Sequence, residues 1–487
     1  GTMRLGMDYT FKNDDRLSAA YYLTAGKSDL ERAAVTTFQA LKSGQPVEER
    51  LSRTYIEGNS ALHNVRIQYD GNSGLMAGAD FTRYHSPGFQ TFVDQSHETT
   101  VTDMQNNSKQ DISQGALFIN HSHTFETGWA LNYGVHGGFT SSKTYIDYLY
   151  NKGNGYESAL DELENNRQKE YSGNAFLEVS KDFGSHFSAT ASLKVEYFKS
   201  DYTSNGMKST LWNDWTLFPN ATLSYTVNPM HIIQLDISSD KTYPSYWMTT
   251  PTTYYMNVYS SIIGNPDLKP QLSYSMQLNY VLKSKYVFGL FTNIQPDKIQ
   301  QMTYQRHDEL RSVFQTVNMD IYNMYGAVAV IPFRPFDFMS SRLTLMGCAI
   351  HNKGTLYDVF FDRKKLFGRA ELNNTFYLTE DRNLLLELRG YCISPVIQGL
   401  YDVDLIYNVS AGLTWTFAKK KMRLTVRGND LFEGGNPVTR VDEQGQKSRM
   451  KLWQDSRNVT LTLRYSFGGY KEKKAKEVDT SRLGTGI

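Results

Sequence analysis

The sequence is poor in proline and contains no long apolar run. Proline accounts for 13 of 487 residues, well below the usual share of about 5%. This scarcity favours long paired strands, because proline removes a hydrogen bond from a β-ladder. No apolar run approaches the roughly 18 residues of a membrane-spanning helix, and the mean hydropathy is −0.49. A helical membrane protein is therefore excluded, whereas a membrane barrel is not, because its strands alternate apolar with polar residues.

Cysteine and net charge are also low. The only two cysteines, Cys348 and Cys392, fall in predicted strands that are not adjacent, so no disulfide is expected. Lys and Arg number 51 against 50 Asp and Glu. The basic excess of a phosphate-backbone binder is missing, so no nucleic-acid partner is expected. Charged residues at 21% and hydrophobic residues at 40% exclude a disordered chain.

The chain is rich in aromatic residues, which alternate with polar ones along its length. It contains 33 Tyr, 26 Phe and 6 Trp. Between Val403 and Phe417 every second residue is apolar, and the residues between them are mostly polar or small. The last strand, ending at Phe467, repeats the pattern with Leu461 against Thr462. Such a period of two predicts strands with one apolar and one polar face.

The length of the alternation indicates which face meets lipid. It often holds for 9 to 15 residues, whereas sandwich strands have about 5–6 and a tilted strand needs about 9–11 to cross a bilayer. The apolar sets also tend to end in aromatic pairs such as Trp415 and Phe417, as an interfacial girdle requires. We therefore predict an all-β, transmembrane antiparallel β-barrel with lipid outside and water inside.

Short turns alternate with long connections, as in outer-membrane barrels. Counting strands this way gives about 19, and the direction of the first strand predicts that they belong to a 22-stranded barrel. The long connections are expected near 26–60, 85–108, 149–168, 202–211, 241–270, 297–311, 353–365, 393–401 and 432–456. In the first of them, Ser28 and Glu31 form a capping-box pattern that predicts a helix ending near Gly44. Residues 1–467 are expected to form the barrel and the lysine-rich residues 468–487 a solvated periplasmic tail.

One segment carries a family resemblance. Residues 217–271 read LFPNATLSYTVNPMHIIQLDISSDKTYPSYWMTTPTTYYMNVYSSIIGNPDLKPQ. The FP-x-A-x-L-x-Y strand, the hairpin after it and the GNPDLKP motif resemble the mid-barrel region of TonB-dependent receptors of the outer membrane β-barrel protein family. The last strand and the Arg482-Leu483-Gly484 tail resemble the same family.

The resemblance implies energised uptake of a scarce ligand, such as a siderophore, a vitamin or an oligosaccharide, across the bacterial outer membrane. Such receptors carry an N-terminal plug and a TonB-contact box, and neither is visible here. The chain is therefore expected to be the C-terminal portion of a barrel whose plug and first strands are missing. The implied partners are outer-membrane lipid, the plug and through it TonB, a surface lipoprotein, and a small-molecule or oligosaccharide ligand.

An aromatic loop is the candidate ligand site. It holds Tyr243, Tyr246, Trp247, Tyr254, Tyr255 and Tyr259, of which Tyr243, Trp247, Tyr254 and Tyr255 are the proposed ligand contacts. Aromatic rings that carry a hydroxyl or N–H group can bind a sugar, a porphyrin or a siderophore, but the same residues also suit packing within the loop. The motif Gly264-Asn265-Pro266-Asp267-Leu268-Lys269-Pro270 is expected to be a structural turn, because Gly and Asn-Pro favour turns.

Other polar groups are expected to be structural. His121 and His123 share one face of a strand without a further ligand nearby, so a metal site is not expected. Asp161, Glu162 and Glu164 are expected to be a solvated loop face. Glu387, Arg389, Lys194 and Glu196 are predicted to hydrate the lumenal wall.

No cofactor and no catalytic motif is expected, although a hydrolase could assemble its groups from distant segments. The alternatives to a transporter are a non-energised adhesin or glycan-binding surface protein, an outer-membrane hydrolase, and a soluble secreted β-protein.

Overall fold

The structure is a computed structural model of the chain. It describes residues 1–40, 43–96, 99–257, 259–306, 309–467 and 480–484. In this part of the chain no helix is long and apolar enough to cross a membrane. These residues form strands and one short helix, α1 (Tyr246–Thr249).

Twenty-eight strands are formed in the described ranges. In chain order the first fourteen are β1 (Thr2–Thr10), β2 (Arg16–Gln39), β3 (Pro46–Asp70), β4 (Leu75–Ser96), β5 (Thr99–Thr124), β6 (Trp129–Asn151), β7 (Tyr156–Ser158), β8 (Glu164–Phe183), β9 (Phe187–Ser204), β10 (Met207–Asn228), β11 (His231–Thr242), β12 (Thr253–Asn257), β13 (Ser260–Ile263) and β14 (Gln271–Leu282). The others are β15 (Tyr286–Ile294), β16 (Lys298–Gln305), β17 (Ser312–Met319), β18 (Ile321–Phe336), β19 (Met339–Leu356), β20 (Val359–Tyr377), β21 (Leu384–Ile393), β22 (Val396–Gln398), β23 (Tyr401–Val403), β24 (Ile406–Phe417), β25 (Met422–Asn429), β26 (Val438–Glu443), β27 (Gln446–Lys451) and β28 (Asn458–Tyr465).

Nineteen of these strands form one antiparallel wall, in which each strand pairs with the next wall strand along the chain. Their order is β1, β2, β3, β4, β5, β6, β8, β9, β10, β11, β14, β15, β18, β19, β20, β21, β24, β25 and β28. The short strand β7 pairs with the end of β6. The predicted all-β class and the predicted count of about 19 strands are confirmed.

The two faces of the wall differ as the alternation predicts. On β24 the side chain of Leu413 is 42% exposed, and on β28 that of Leu461 is 70% exposed. On the opposite face Glu387 lies 3.2 Å from Arg389 and 3.3 Å from Arg427, and Lys194 lies 3.6 Å from Glu196. The aliphatic rows therefore point outward, and paired charges line the interior.

The strands of the first half are longer than a bilayer requires. β3 has 25 residues and β5 has 26, against about 9–11 for a membrane crossing. Most residues of the long connections expected between β2 and β10 therefore belong to the strands, which continue as paired hairpins. The helix predicted between Ser28 and Gly44 is wrong: residues 16–39 form strand β2, in which Ser28 pairs with Gly58 and Glu31 with Tyr55. Pairing with β3 along its length outweighs the local capping signal.

The connections at the other half of the barrel fold into two small sheets, which we call the mouth cap. One sheet has the order β12-β13-β17-β16 and the other β22-β23-β26-β27. Two apolar clusters hold the cap against the wall. The first contains Phe92, Met104, Ile146, Tyr148, Tyr254 and Ile262, and the second contains Met302, Met319, Leu356, Val359, Phe361, Leu400, Tyr401, Val403 and Val441.

Candidate functional site

The aromatic loop between β11 and β14 turns inward and packs on the inner wall. Tyr243 stacks on Phe198 with ring centroids 3.9 Å apart, and its hydroxyl donates a 2.8 Å hydrogen bond to Glu196. The hydroxyl of Tyr246, on α1, donates a 2.9 Å hydrogen bond to Glu170. Burial and the neighbouring Glu196 carboxylate raise the pKa of Tyr243, so its hydroxyl stays protonated and remains a donor.

The next aromatic residues of the loop form part of the first apolar cluster. Tyr254 is only 2% exposed, and Trp247 meets its ring edge-on at 6.3 Å. Tyr255 meets the ring of Tyr148 edge-on at 5.2 Å, and the hydroxyl of Tyr148 donates a 3.0 Å hydrogen bond to the carbonyl of Thr253. Of the four predicted ligand contacts, the structure therefore brings Trp247 and Tyr254 together, whereas Tyr243 packs on β9 and Tyr255 on β6. Tyr254 is a core residue, and Trp247 and Tyr255 remain partly exposed.

The GNPDLKP motif joins the cap to the wall. At Gly264 a Cβ atom would lie 1.7 Å from the carbonyl oxygen of Thr250, so the two segments approach closely only because this residue has no side chain. The side chain of Asn265 accepts a 3.0 Å hydrogen bond from the backbone N–H of Asp267 and donates one of 3.1 Å to Thr316. These contacts within the chain favour the structural interpretation of the motif.

Leu268 is the buried apolar residue of this motif. It is 1% exposed, and its carbonyl accepts a 2.7 Å hydrogen bond from Nε1 of Trp212 on β10. The side chain of Asn318 on β17 makes two hydrogen bonds to the backbone of the next residue, Lys269. It accepts one from the Lys269 N–H at 2.8 Å and donates one to the Lys269 carbonyl at 2.9 Å.

Some residues that assemble the mouth gave no signal in the sequence. Gln446 links the two cap sheets, because its Nε2 donates a 3.2 Å hydrogen bond to the carbonyl of Gln305 and its Oε1 accepts from the N–H of Gln305 at 2.5 Å. Arg363 on β20 makes a 2.5 Å ion pair with Asp402 on β23. Both contacts join segments that are distant along the chain, and no local motif marks such residues.

Comparison with known proteins identifies the family. Residues 67–465 match the model of the outer membrane protein beta-barrel family. The chain belongs to this family.

Solved structures with the same fold agree with this assignment. The chain is similar to the siderophore receptor PiuA from Acinetobacter baumannii, with 8% identity, 95% of this chain and 79% of that chain covered, and a TM-score of 0.55. It is also similar to the ferric yersiniabactin uptake receptor FyuA from Yersinia pestis (11% identity, 96% and 80% covered, TM-score 0.51) and to the copper transporter OprC (10% identity, 96% and 79% covered, TM-score 0.54). No curated protein matches the chain in sequence.

These identities show the fold alone. At that level the resemblance to the barrels of TonB-dependent receptors is confirmed, and the protein is an outer membrane barrel.

The polar groups considered for metal binding are dispersed on this outer membrane barrel. His121 and His123 stack with ring centroids 6.4 Å apart, next to Tyr133 and Phe125 on the outer face. Glu162 accepts a 2.9 Å hydrogen bond from the hydroxyl of Tyr150. Within the described ranges, no group of three or more His, Cys, Asp or Glu residues could hold a metal ion.

The structure also shows the surroundings of the acidic loop residues and of the two cysteines. Burial raises the pKa of Glu164, which accepts a 3.1 Å hydrogen bond from Asn166, so Glu162 and Glu164 are not the freely solvated loop face expected. Cys348 is buried on β19 and Cys392 is exposed on β21, and both are free.

A groove on the outer face is lined by small residues such as Gly347 and Gly368. Because it opens toward lipid, it offers no site for a water-soluble ligand.

Proposed function

We propose that this barrel is the pore of an energised outer-membrane receptor that imports a scarce ligand, namely a siderophore, a vitamin or an oligosaccharide. The observation that carries the proposal is the mouth cap, whose two sheets pack on the wall and on each other through apolar clusters and specific hydrogen bonds. A passive pore gains nothing from a packed closure, whereas a receptor can bind its ligand in the cap and release it inward. Two proteins with similar structures are a siderophore receptor and a copper transporter, which supports the same class.

The proposal includes a plug and TonB as partners. A barrel of about 22 strands encloses a lumen too wide for its own wall side chains to fill, and barrels of this size are plugged. Within the described residues β1 pairs only with β2 and β28 only with β25. Because unpaired backbone groups in hydrocarbon cost several kcal/mol each, we propose that further strands of the same barrel complete the wall.

The ligand site is proposed at the partly exposed rings of the aromatic loop. Trp247 and Tyr255 would contact the ligand, Tyr243 would orient it from the inner wall, and Tyr254 would support the loop from beneath. Tyr243 already donates its hydroxyl to Glu196 at 2.8 Å and stacks one ring face on Phe198, so the ligand would meet only the part of the ring that these contacts leave exposed.

Transport assays with defined probes test the proposal. The full-length protein is expressed in a Gram-negative host that lacks its own iron and vitamin receptors. Cells are given iron-55 siderophores, cobalt-57 cobalamin or fluorescent oligosaccharides, each with and without a protonophore. We expect one class to accumulate only while the membrane is energised. Retention of a probe at the surface without accumulation would favour the adhesin alternative, and protonophore-insensitive entry would indicate a passive pore.

A further inference from the structure

Glu170 of β8 is a buried acidic residue of the inner wall. Its carboxylate is 4% exposed. It accepts hydrogen bonds from the Tyr246 hydroxyl at 2.9 Å and from Gln168 Nε2 at 3.0 Å. Neutral donors alone do not balance a buried negative charge, because the cost of taking an ion out of water must be offset by a counter-charge. The site therefore requires a cation.

Arg482 supplies the cation. Its Nη1 and Nη2 atoms lie 2.6 Å and 2.8 Å from the two carboxylate oxygens of Glu170, which is the bidentate geometry of a strong ion pair. Its Nε donates a 3.1 Å hydrogen bond to the carbonyl of Pro244. Of the described residues, Arg482 is the only base in ion-pair contact with Glu170.

Aromatic rings surround the guanidinium group. Its central carbon lies 4.3 Å from the ring centroid of Tyr246, 5.5 Å from that of Tyr243 and 6.0 Å from that of Trp212. A planar, weakly hydrated guanidinium stacks on such rings while its nitrogens fork onto a carboxylate, and an ammonium group cannot do both. The shape of the site therefore selects arginine over lysine.

A second contact fixes the segment around Arg482. The backbone N–H of Gly484 donates a 3.0 Å hydrogen bond to Oε1 of Gln110 on β5, and Gln110 is fully buried on the inner wall. The segment 480–484 thus touches β5, β8 and the aromatic loop. This placement differs from the solvated periplasmic tail expected from the sequence, whose remaining residues lie outside the described part of the chain.

The chain is long enough for this docking. Glu170 lies 13 residues above Phe183, the lower end of β8, which is about 43 Å along a strand at ~3.3 Å per residue and about 33 Å in height at a tilt of ~40°. Twelve residues separate Phe467 from Thr480. Their greatest span is about 40–45 Å at roughly 3.3–3.6 Å each.

We propose that the inner wall carries a guanidinium-binding site, formed by Glu170, Tyr246, Tyr243 and Trp212, and that its ligand is Arg482 of the chain's own segment 480–484. The docked segment ties the aromatic loop to the wall, because Arg482 binds Glu170 of β8 and the carbonyl of Pro244 in the loop at once. The inference rests on these contacts and does not depend on what the barrel transports.

Limited proteolysis of the full-length protein tests whether the segment is docked. Trypsin cleavage after Arg482 releases a peptide that begins at Leu483, and mass spectrometry follows its appearance. We expect release in the folded protein to be at least 10-fold slower than in the Glu170→Gln variant. Glu178→Gln, on the same strand, is the matched control and should protect Arg482 as the parent does. Equal cleavage of parent and Glu170→Gln would overturn the proposal.

Thermal unfolding of single and double variants tests the charge pairing. Arg482→Gln should lower the Tm because it leaves the Glu170 carboxylate unpaired, and Arg482→Lys should restore only part of the loss. Adding Glu170→Gln to Arg482→Gln should raise the Tm again, although Glu170→Gln alone lowers it. A drop in Tm from Glu170→Gln of the same size in both backgrounds would contradict the pairing.

Peptide binding tests the specificity of the site. A protein ending at residue 479 is titrated calorimetrically with the peptide Thr-Ser-Arg-Leu-Gly-Thr-Gly-Ile and with versions carrying Lys or Gln in place of Arg. We expect the Arg peptide to bind at least 10-fold more tightly than the Lys peptide. Equal affinity of the Arg and Gln peptides would overturn the proposal.

Discussion

The indole Nε1 of Trp212 donates a 2.7 Å hydrogen bond to the carbonyl of Leu268, and this bond connects the barrel wall to the loop that closes its mouth. Both residues are buried. Loss of the donor would leave a buried carbonyl without its partner, which costs about 1–3 kcal/mol. The position of the mouth cap therefore depends on a residue of strand β10, outside the cap.

Replacing this donor should loosen the cap and leave the barrel intact. Trp212→Phe keeps an aromatic ring but removes the N–H, so we expect faster hydrogen exchange in residues 264–270 and an unchanged heat-modifiable band on gels. Trp215→Phe is the matched control on the same strand, since Trp215 is 71% exposed on the outer face. Equal exchange rates in this loop in the two variants would show that the hydrogen bond does not hold it.

Gly264 should not tolerate a side chain. In Gly264→Ala the new methyl group would lie 1.7 Å from the carbonyl oxygen of Thr250, so α1 and the loop around it must move. We expect hydrogen exchange to accelerate in residues 246–270 without loss of barrel assembly. Gly115→Ala is the control, because no atom lies within 4 Å of its added carbon. An exchange pattern like that of Gly115→Ala would refute the proposed close approach.

Membrane placement predicts a strong dependence on which face of a strand is altered. Leu413→Asp puts a charge on the outer face and should disfavour insertion by roughly 2 kcal/mol if the site is near the bilayer midplane. Thr414→Asp, one residue further along on the inner face, should be tolerated. The measurement is the fraction folded in a urea titration with lipid vesicles. Similar midpoints for both variants would contradict the assignment of lipid to the outer face.

The rings of the aromatic loop should separate into two groups. Tyr254→Ala removes a core ring and should destabilise the cap by about 3–5 kcal/mol, whereas Tyr254→Phe should behave as the parent. Trp247→Ala and Tyr255→Ala should lower the affinity for the transported probe at a smaller stability cost, because both rings are partly exposed. Hydrogen exchange and probe binding report the two effects separately. Unchanged affinity in Trp247→Ala and Tyr255→Ala would remove these rings from the site.

The sequence predicted the wall of the barrel better than its mouth. The alternation between Val403 and Phe417 determines which side of β24 meets lipid without reference to any other strand, so the faces and the strand count could be predicted. The capping-box residues Ser28 and Glu31 were misleading, because a hairpin of more than twenty residues on each strand outweighs a local helix signal. A local signal describes what a segment prefers in isolation, and long-range pairing decides what it forms.

The mouth depends on contacts between distant segments. Tyr254 and Tyr255 are adjacent in the sequence, yet one is buried in a cluster with Phe92 and Met104 and the other is partly exposed. Composition marks both as candidate ligand contacts. Only the fold of the loop against β4, β5 and β6 separates them.

The long hairpins of the first half determine which surface the protein presents outside the bilayer. On β5 the outer face carries Leu117 and Ile119 toward the short turn, and Lys109 and Asp111 further along. The 26 residues of β5 rise about 65 Å at ~3.3 Å per residue and a tilt of ~40°, against an apolar band of about 25 Å. A rigid β-walled collar thus projects well beyond the bilayer, and an antibody or phage could bind its rim without touching lipid.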